Sequence, residues 1–146
     1  MSSPSTTRTA TASHTTDRYV DSEWWKAIAL AGAFFVFAYV VGLLLFLTVF
    51  VPAVIGLGDP AGLLGVGFGL AFLVFVLLAL VGLVLSLLLP VALYFDAQAV
   101  TEANVGWRPD PTLFAGVAAL GLFVQIVQPA VAFYYLYKRR QAVGTP

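Results

Sequence analysis

The sequence predicts an all-α membrane protein with three transmembrane helices, up-down-up, and a disordered N-terminal tail. The first observation is composition: 61% of the 146 residues are hydrophobic and 10% are charged, against about 45–50% and about 25% in a typical soluble domain. The second is distribution, because ionisable side chains are missing from three stretches, which lie between Lys26 and Asp59, between Asp59 and Asp96, and between Asp110 and Lys138. Each stretch exceeds the ~20 residues that cross a hydrocarbon core.

The predicted transmembrane domain covers residues 21–140 and follows a Ser/Thr-rich tail, residues 1–20. Such a tail cannot bury enough apolar surface to offset the entropy of ordering it, so we expect disorder. The other predicted parts are three spans at about 25–51, 66–93 and 112–137, a loop at 94–111 and a short C-terminal tail at 141–146.

Three polar sites predict where helices begin. The segment Asp21–Glu23 offers a capping side chain and early negative charge ahead of the first span. The dipeptides Asp59-Pro60 and Asp110-Pro111 each place a capping carboxylate before a proline at the first helical position. Aromatic residues at the predicted span ends are typical of membrane interfaces; they are Trp24, Trp25, Trp107, Tyr134, Tyr135 and Tyr137.

The second apolar stretch has an unusual length. From Ala61 to Phe95 it runs 35 residues, roughly 52 Å as a helix at ~1.5 Å per residue. This is too long for one untilted span of ~30 Å and too short for two spans with a turn. The sequence therefore predicts one span centred on Leu70 to Leu89, which Pro90 bends at its far end.

The loop at 94–111 holds the only mixed polar stretch between long apolar runs. A short surface helix is predicted to begin at Asp96, where the second span emerges into water, and to end near Asn104 or Gly106, which tolerate left-handed backbone. Glu102 could pair with Arg108 in solvent. A docking surface formed by Asp96, Glu102 and Arg108 is an open hypothesis.

Three spans would place the chain ends on opposite sides of the membrane. Basic residues nearly tie between the sides: Arg8, Arg18, Lys26 and Arg108 against Lys138, Arg139 and Arg140. The second group abuts its span, and basic residues near span ends weigh most in orientation. The sequence therefore favours a cytoplasmic C-terminus and an external N-terminus.

Each predicted span pairs a proline with a neutral polar residue four positions earlier. A proline leaves the carbonyl four residues before it without its helical partner, and in lipid that carbonyl needs another one. Local repair is the favoured interpretation, and a set of hinged or water-contacting helices is the alternative. The pairs are Thr48/Pro52, Ser86/Pro90 and Gln125/Pro129.

Other neutral groups indicate helix contacts. Gln125 and Gln128 would share one helix face, where hydrogen bonding to a neighbouring helix is favoured over lining a pore. The GxxxG motif Gly65–Gly69 and the small-residue pair Ala38–Gly42 allow close helix approach, within the chain or between copies.

Several functions are disfavoured. The chain has no cysteine, one histidine (His14) and zero formal net charge, which argues against metal centres, thiol chemistry and nucleic-acid partners. The predicted spans lack the ionisable groups that pumps and ion-coupled carriers use. Only Asp96, Glu102, Arg108 and Asp110 lie close enough in sequence to suggest catalysis, and an ordinary ion pair explains them better. We expect no enzyme, and no catalytic, cofactor or metal site.

Three segments carry a resemblance: "ALYFDAQAV", "VGWRPDP" and "YYLYKRRQAVGTP". Together they are similar to the C-terminal pattern of an uncharacterised family of small multi-pass membrane proteins of halophilic archaea. The resemblance covers roughly Pro90 to Pro146. It implies an archaeal plasma-membrane protein and carries over no catalytic or ligand residue.

The predicted function is non-enzymatic: a structural or accessory subunit of the cell membrane that acts through helix packing. Its expected partners are the lipid bilayer and copies of itself or other membrane subunits. The alternative is a homo-oligomeric channel or small-solute transporter lined by Gln125, Gln128, Ser86 and Thr48.

Overall fold

A computed structural model describes residues 20, 22–56 and 63–144, and every regular element in this part of the chain is a helix. The predicted disordered tail, residues 1–20, and the Asp59-Pro60 helix start lie outside the described residues, apart from Val20. Within the described residues the helical elements follow in this order: α1 Trp24–Leu45, a π turn Phe46–Phe50, α2 Val51–Val54, a π turn Leu63–Gly67, α3 Phe68–Glu102, α4 Pro111–Leu120 and α5 Val127–Val143.

Two continuous helical segments are long and apolar enough to cross a membrane. They are Trp24–Val54, with 31 residues, and Gly65–Glu102, with 38 residues. Trp24 stacks on Phe95 with ring centroids 5.4 Å apart, and Phe50 meets Phe68 at the same separation. The start of α1 therefore lies beside the end of α3, and the two run antiparallel. The all-α class and these two long apolar helices are confirmed.

The third predicted span is not one helix. Helix α4 ends at Leu120, residues 121–126 form turns, and α5 begins at Val127. The prediction of an uninterrupted helix over 112–137 is therefore wrong. Hydrophobicity tells how apolar a segment is, but it does not tell whether the backbone continues or reverses. Pro129 lies in the first turn of α5, where its missing N–H costs no helical hydrogen bond.

Helices α4 and α5 form an antiparallel hairpin. The ring of Phe114 on α4 lies 5.1 Å from that of Tyr135 on α5, and Gly121 contacts Gln128 next to the turn. The hairpin thus enters and leaves the bundle at the end where α3 terminates. Val20 packs there in one cluster with Val143. The two ends of the described chain lie together, whereas three antiparallel spans would have separated them.

Helix α3 continues through half of the predicted loop. No separate surface helix begins at Asp96, because α3 is one helix as far as Glu102. It terminates as the sequence indicates: Asn104 has φ of 51° and Gly106 has φ of 90°, and both residue types tolerate this left-handed region. The predicted cap of α4 is also confirmed, since the Asp110 carboxylate accepts hydrogen bonds from two backbone N–H groups at 2.9 and 3.2 Å.

The core lies between α1, α3 and the hairpin. Alanines and one glycine fill the closest crossing, where a Cβ built on Gly32 would lie 3.4 Å from that of Ala132. Larger buried side chains complete the core; among them are Ile28, Leu89, Leu93 and Tyr135. The core therefore sits toward the end of the bundle that holds both ends of the described chain.

Candidate functional site

A fully buried carboxylate, Asp96, is the centre of a polar cluster at this end of the bundle. Its Oδ1 accepts a hydrogen bond from Ser22 Oγ at 2.6 Å. Its Oδ2 accepts from the Tyr135 hydroxyl at 2.9 Å and from Arg139 Nε at 2.8 Å. These four residues, the Asp96 cluster, join the segment before α1 to α3 and α5.

Local helix geometry explains two of the three donors. Tyr135 and Arg139 are four residues apart on α5 and therefore share a face. The Arg139 guanidinium also lies 5.8 Å from the Trp25 ring centroid, within reach of a cation–π interaction. Because both charges of this pair are withdrawn from water, their stability depends on these directed contacts.

The structure corrects the sequence-based role of Asp96. We expected Asp96 to emerge into water, and that expectation is wrong because Asp96 is buried. The open hypothesis of a docking surface formed by Asp96, Glu102 and Arg108 fails for the same reason, since only the other two are exposed. Arg108 donates to Asn104 Oδ1 at 2.8 Å and not to Glu102. The partners of Asp96 lie tens of residues away in sequence, which local patterns do not reveal. One feature of the sequence could have indicated the pairing: Asp96 directly follows an apolar run, and a carboxylate in such a position generally requires a partner.

A second polar cluster repairs the backbone of α3. Pro90 has no N–H to donate, so the Ser86 carbonyl loses its helical partner. The side chain of Gln128, which is buried, donates Nε2 to this carbonyl at 3.2 Å and receives the Ser86 hydroxyl on Oε1 at 2.7 Å. A longer contact of 3.4 Å joins Nε2 to the Ala118 carbonyl. Local repair, here supplied by a neighbouring helix, is confirmed for the Ser86/Pro90 pair.

The other two proline pairs behave differently. Near Pro52 the helix widens into the π turn Phe46–Phe50, and the Thr48 hydroxyl donates to the Leu44 carbonyl at 2.7 Å. Gln125 lies in the turn before α5, so it does not share a helix face with Gln128. That part of the prediction is wrong, and for the same reason as the third span.

Gly121 allows the hairpin to close. A Cβ built on this residue would lie 2.4 Å from Gln128 Cγ and 2.9 Å from the Ala118 carbonyl oxygen. Real side chains do not approach so closely, so a larger residue would push Gln128 away from the Ser86 carbonyl. By leaving room for Gln128, Gly121 in the turn allows the hydrogen bond between Gln128 and the Ser86 carbonyl of α3.

A cavity of about 650 Å³ lies between α1, α3 and the turn at 121–126. Its lining is mainly apolar and includes Phe34, Gly42, Phe75 and Gly82. Three polar side chains also line it: Tyr39, Ser86 and Gln125.

Among the residues that the structure describes, charge is confined to one end of the bundle. Among the described residues, all charged side chains lie at the start of α1, the last two turns of α3, the segment to α4, or the end of α5. At the start of α1, Lys26 forms a salt bridge with Glu23; the hydrogen bond and charge of Lys26 lower the pKa of that carboxyl. The opposite end, around α2 and the π turns, carries no charge within the described segments.

Comparison of the chain with protein-family models, curated proteins and solved structures finds no match. The resemblance to small membrane proteins of halophilic archaea stays a prediction, and the roles of the clusters and the cavity are argued from geometry. Within the described ranges, every buried polar side-chain atom has a hydrogen-bond partner, and no group of three His, Cys, Asp or Glu is placed to hold a metal. The two clusters are therefore suited to joining helices.

Proposed function

We propose that this chain is a non-enzymatic integral membrane protein, a small structural or accessory subunit that acts through helix packing. One observation carries the proposal: the interior polar groups are used in contacts between helices, while the long helices present apolar side chains outward. Asp96 and Gln128 are both buried and hydrogen-bonded. Large apolar residues such as Leu44, Leu77 and Val84 are more than half exposed.

The fold supports a membrane arrangement with two crossing segments and a re-entrant hairpin. Trp24–Val54 and Gly65–Glu102 would cross the bilayer, and α4 and α5 would enter and leave on one side. Non-helical backbone is tolerated at membrane depth where it is buried in protein or lines a cavity. The turn at 121–126 borders the cavity through Gly121, Leu122 and Gln125. Residues 122–126 are exposed, but the backbone N–H groups of residues 121–124 donate to carbonyls of α4.

In this arrangement the basic residues are no longer divided almost equally between the two sides of the membrane. The five basic residues within the described segments lie at one end: Lys26, Arg108, Lys138, Arg139 and Arg140. Arg8 and Arg18 precede the first crossing helix on the same side. All seven basic residues of the chain then lie on one side of the membrane, which would be cytoplasmic by the positive-inside rule. Both termini would be cytoplasmic, so the N-terminal side differs from the one that the sequence favoured.

Thiol labelling tests this topology, since the chain has no cysteine of its own. We expect a membrane-impermeant maleimide to label Val54→Cys in intact cells and Gln141→Cys only after permeabilisation. Both positions are exposed at opposite ends of the bundle, which makes the variants matched controls for each other. Labelling of both in intact cells, or the reverse order, would contradict the proposed orientation. An external N-terminus combined with a cytoplasmic Gln141→Cys would require a third crossing span.

Small residues at the start of the segment Gly65–Glu102 support lateral association. A Cβ built on Gly65 or Gly69 would meet nothing within 4 Å, so the GxxxG motif contributes no packing inside the described fold. An uncovered motif of this kind permits close approach of another helix. It lies away from the Asp96 cluster, at the end of the bundle where the described residues carry no charge.

A homo-oligomeric channel or small-solute transporter is the second candidate, and the cavity is the observation that favours it. Three of its four proposed lining residues are engaged within the fold, since Ser86 and Gln128 bond each other and Thr48 bonds its own helix. Gln125 alone is exposed to the cavity without a hydrogen bond among the described residues.

Crosslinking and thiol reactivity separate the two candidates. An accessory subunit is expected to run above its monomer mass after crosslinking in native membranes, and Gln128→Cys is expected to stay unreactive toward a water-soluble methanethiosulfonate. Gln125→Cys is the matched control for reagent access. A chain that crosslinks to nothing would contradict the accessory role. A pure homo-oligomer in which Gln128→Cys reacts at the rate of Gln141→Cys would favour the channel.

A further inference from the structure

The cavity between α1 and α3 has two polar residues, Ser86 and Gln125, at one end, and the rest of its lining is apolar apart from Tyr39 midway along α1. Contacts across the helices fix the order along its length: Gly82 faces Phe34, and Gly42 faces Phe75. Ser86 and the turn residue Gln125 lie beyond the first contact. Phe46, Leu43 and Phe75 line the opposite end.

Small residues form part of the cavity walls. Ala38 and Gly42 line it from α1, and Ala79 and Gly82 from α3. Its volume of about 650 Å³ lies inside the range of about 300–1,000 Å³ that is typical of small-molecule sites. Such sites combine a mainly apolar lining with a few placed polar groups, which is the composition found here.

The polar end selects a neutral ligand group. No charged side chain lines the cavity, and an uncompensated charge would be costly to bring into such surroundings. The Gln125 amide offers both a donor and an acceptor. We propose that this cavity binds a neutral amphiphile, a single apolar chain with a hydroxyl or carbonyl head, with the head at Gln125 and the chain directed toward Phe75.

This site goes beyond the proposed accessory function. It rests on membrane placement only for the source of its ligand, which could be a bilayer component or a solute of the same chemistry. Binding is measured on the purified chain, whereas topology and assembly are measured in cells, so either proposal can fail without the other.

Photolabelling tests occupancy. The probe is a diazirine-bearing hexadecanol, added to the full chain in phosphatidylcholine nanodiscs, with labelled residues mapped by mass spectrometry. We expect label on cavity-lining residues and a loss of at least about fivefold in Ala79→Phe, whose ring fills the space. Ala33→Phe, on an exposed face of α1 outside the cavity, is the matched control and should label as the parent does. Equal labelling of Ala79→Phe and the parent would overturn the proposal.

A second variant tests where the head lies. Gln125→Leu should weaken labelling by the alcohol roughly two- to tenfold, the effect of one neutral hydrogen bond, and leave labelling by a diazirine-bearing hexadecane unchanged. An equal loss for both probes, or for neither, would overturn the assignment of the head to Gln125.

Extraction distinguishes the two sources. If the ligand is a bilayer component, an organic extract of the purified parent contains a neutral amphiphile that is depleted in the extract of Ala79→Phe. If it is a solute, both extracts match, and added hexadecanol still labels the parent. Matching extracts together with no labelling would overturn the site.

Discussion

Replacing Arg139 by methionine is expected to lower the free energy of unfolding by about 3–5 kcal/mol, because removing one partner of a buried pair leaves an uncompensated charge. Asp96 is fully buried, and its Oδ2 accepts from Arg139 Nε at 2.8 Å. Methionine keeps much of the apolar stem but supplies no donor. The measurement is unfolding by dodecyl sulfate in mixed micelles, followed by tryptophan fluorescence and far-ultraviolet circular dichroism.

Two further variants separate the lost pair from the general effect of a substitution. Arg140→Met removes an adjacent but exposed charge and should change stability by less than about 0.5 kcal/mol. The double variant Asp96→Asn, Arg139→Met should recover most of the loss, because a neutral amide needs no counter-charge. Its oxygen can accept from one of the Ser22 and Tyr135 hydroxyls, and its NH2 group can donate to the oxygen of the other. Equal effects of Arg139→Met and Arg140→Met would show that the buried pair contributes nothing.

Gly121→Ala is expected to destabilise the protein by about 1–3 kcal/mol, the usual cost of overpacking a close contact. The added methyl group would lie 2.4 Å from Gln128 Cγ, with backbone on its other side. Gln128 would have to move, which would weaken its bond to the Ser86 carbonyl. The same unfolding measurement applies, and Gln128→Leu should show a loss of similar size.

The sign of this effect discriminates between two folds. Gly116 lies inside α4, and a methyl group added to it would meet nothing within 4 Å, so Gly116→Ala should stabilise by about 0.5–1 kcal/mol, as alanine does in a helix interior. In one uninterrupted helix over 112–137, Gly121→Ala would stabilise in the same way. Opposite signs at Gly116 and Gly121 support the hairpin, and equal signs contradict it.

The sequence predicts those features that depend on a few neighbouring residues. The capping of α4 by Asp110 and the left-handed residues after α3 are local chemistry, and both are confirmed. The need to repair the carbonyl ahead of Pro90 is also local, because a missing N–H always affects the carbonyl four residues earlier. The donor that repairs it, Gln128, is 42 residues away and could not be chosen from the sequence.

The hairpin and the Asp96 cluster could not be predicted, because both depend on contacts between residues that are far apart in the sequence. An apolar stretch of helical length is compatible with crossing the bilayer or with turning back inside it. Gly121 permits the reversal because it has no Cβ to collide with Gln128 and the Ala118 carbonyl, contacts that the sequence alone does not reveal. Because the sequence predicted a third span between Arg108 and Lys138, it assigned these residues to opposite sides of the membrane. The numbers of basic residues on the two sides were therefore nearly equal. Without the hairpin, no position for Tyr135 or Arg139 beside Asp96 could be derived.

The hairpin also sets an order of events during biosynthesis. Asp96 leaves the ribosome 43 residues before Arg139, so the two long helices are complete while its carboxylate still has no cationic partner in the cluster. In the proposed membrane arrangement, Asp96 would remain in contact with water at the bilayer edge until α5 arrives. A chain that stops short of α5 keeps an unpaired charge in an apolar helix. In that arrangement, synthesis of the last helix completes the bundle, and a truncated chain would differ from a finished one by a carboxylate without its cationic partner.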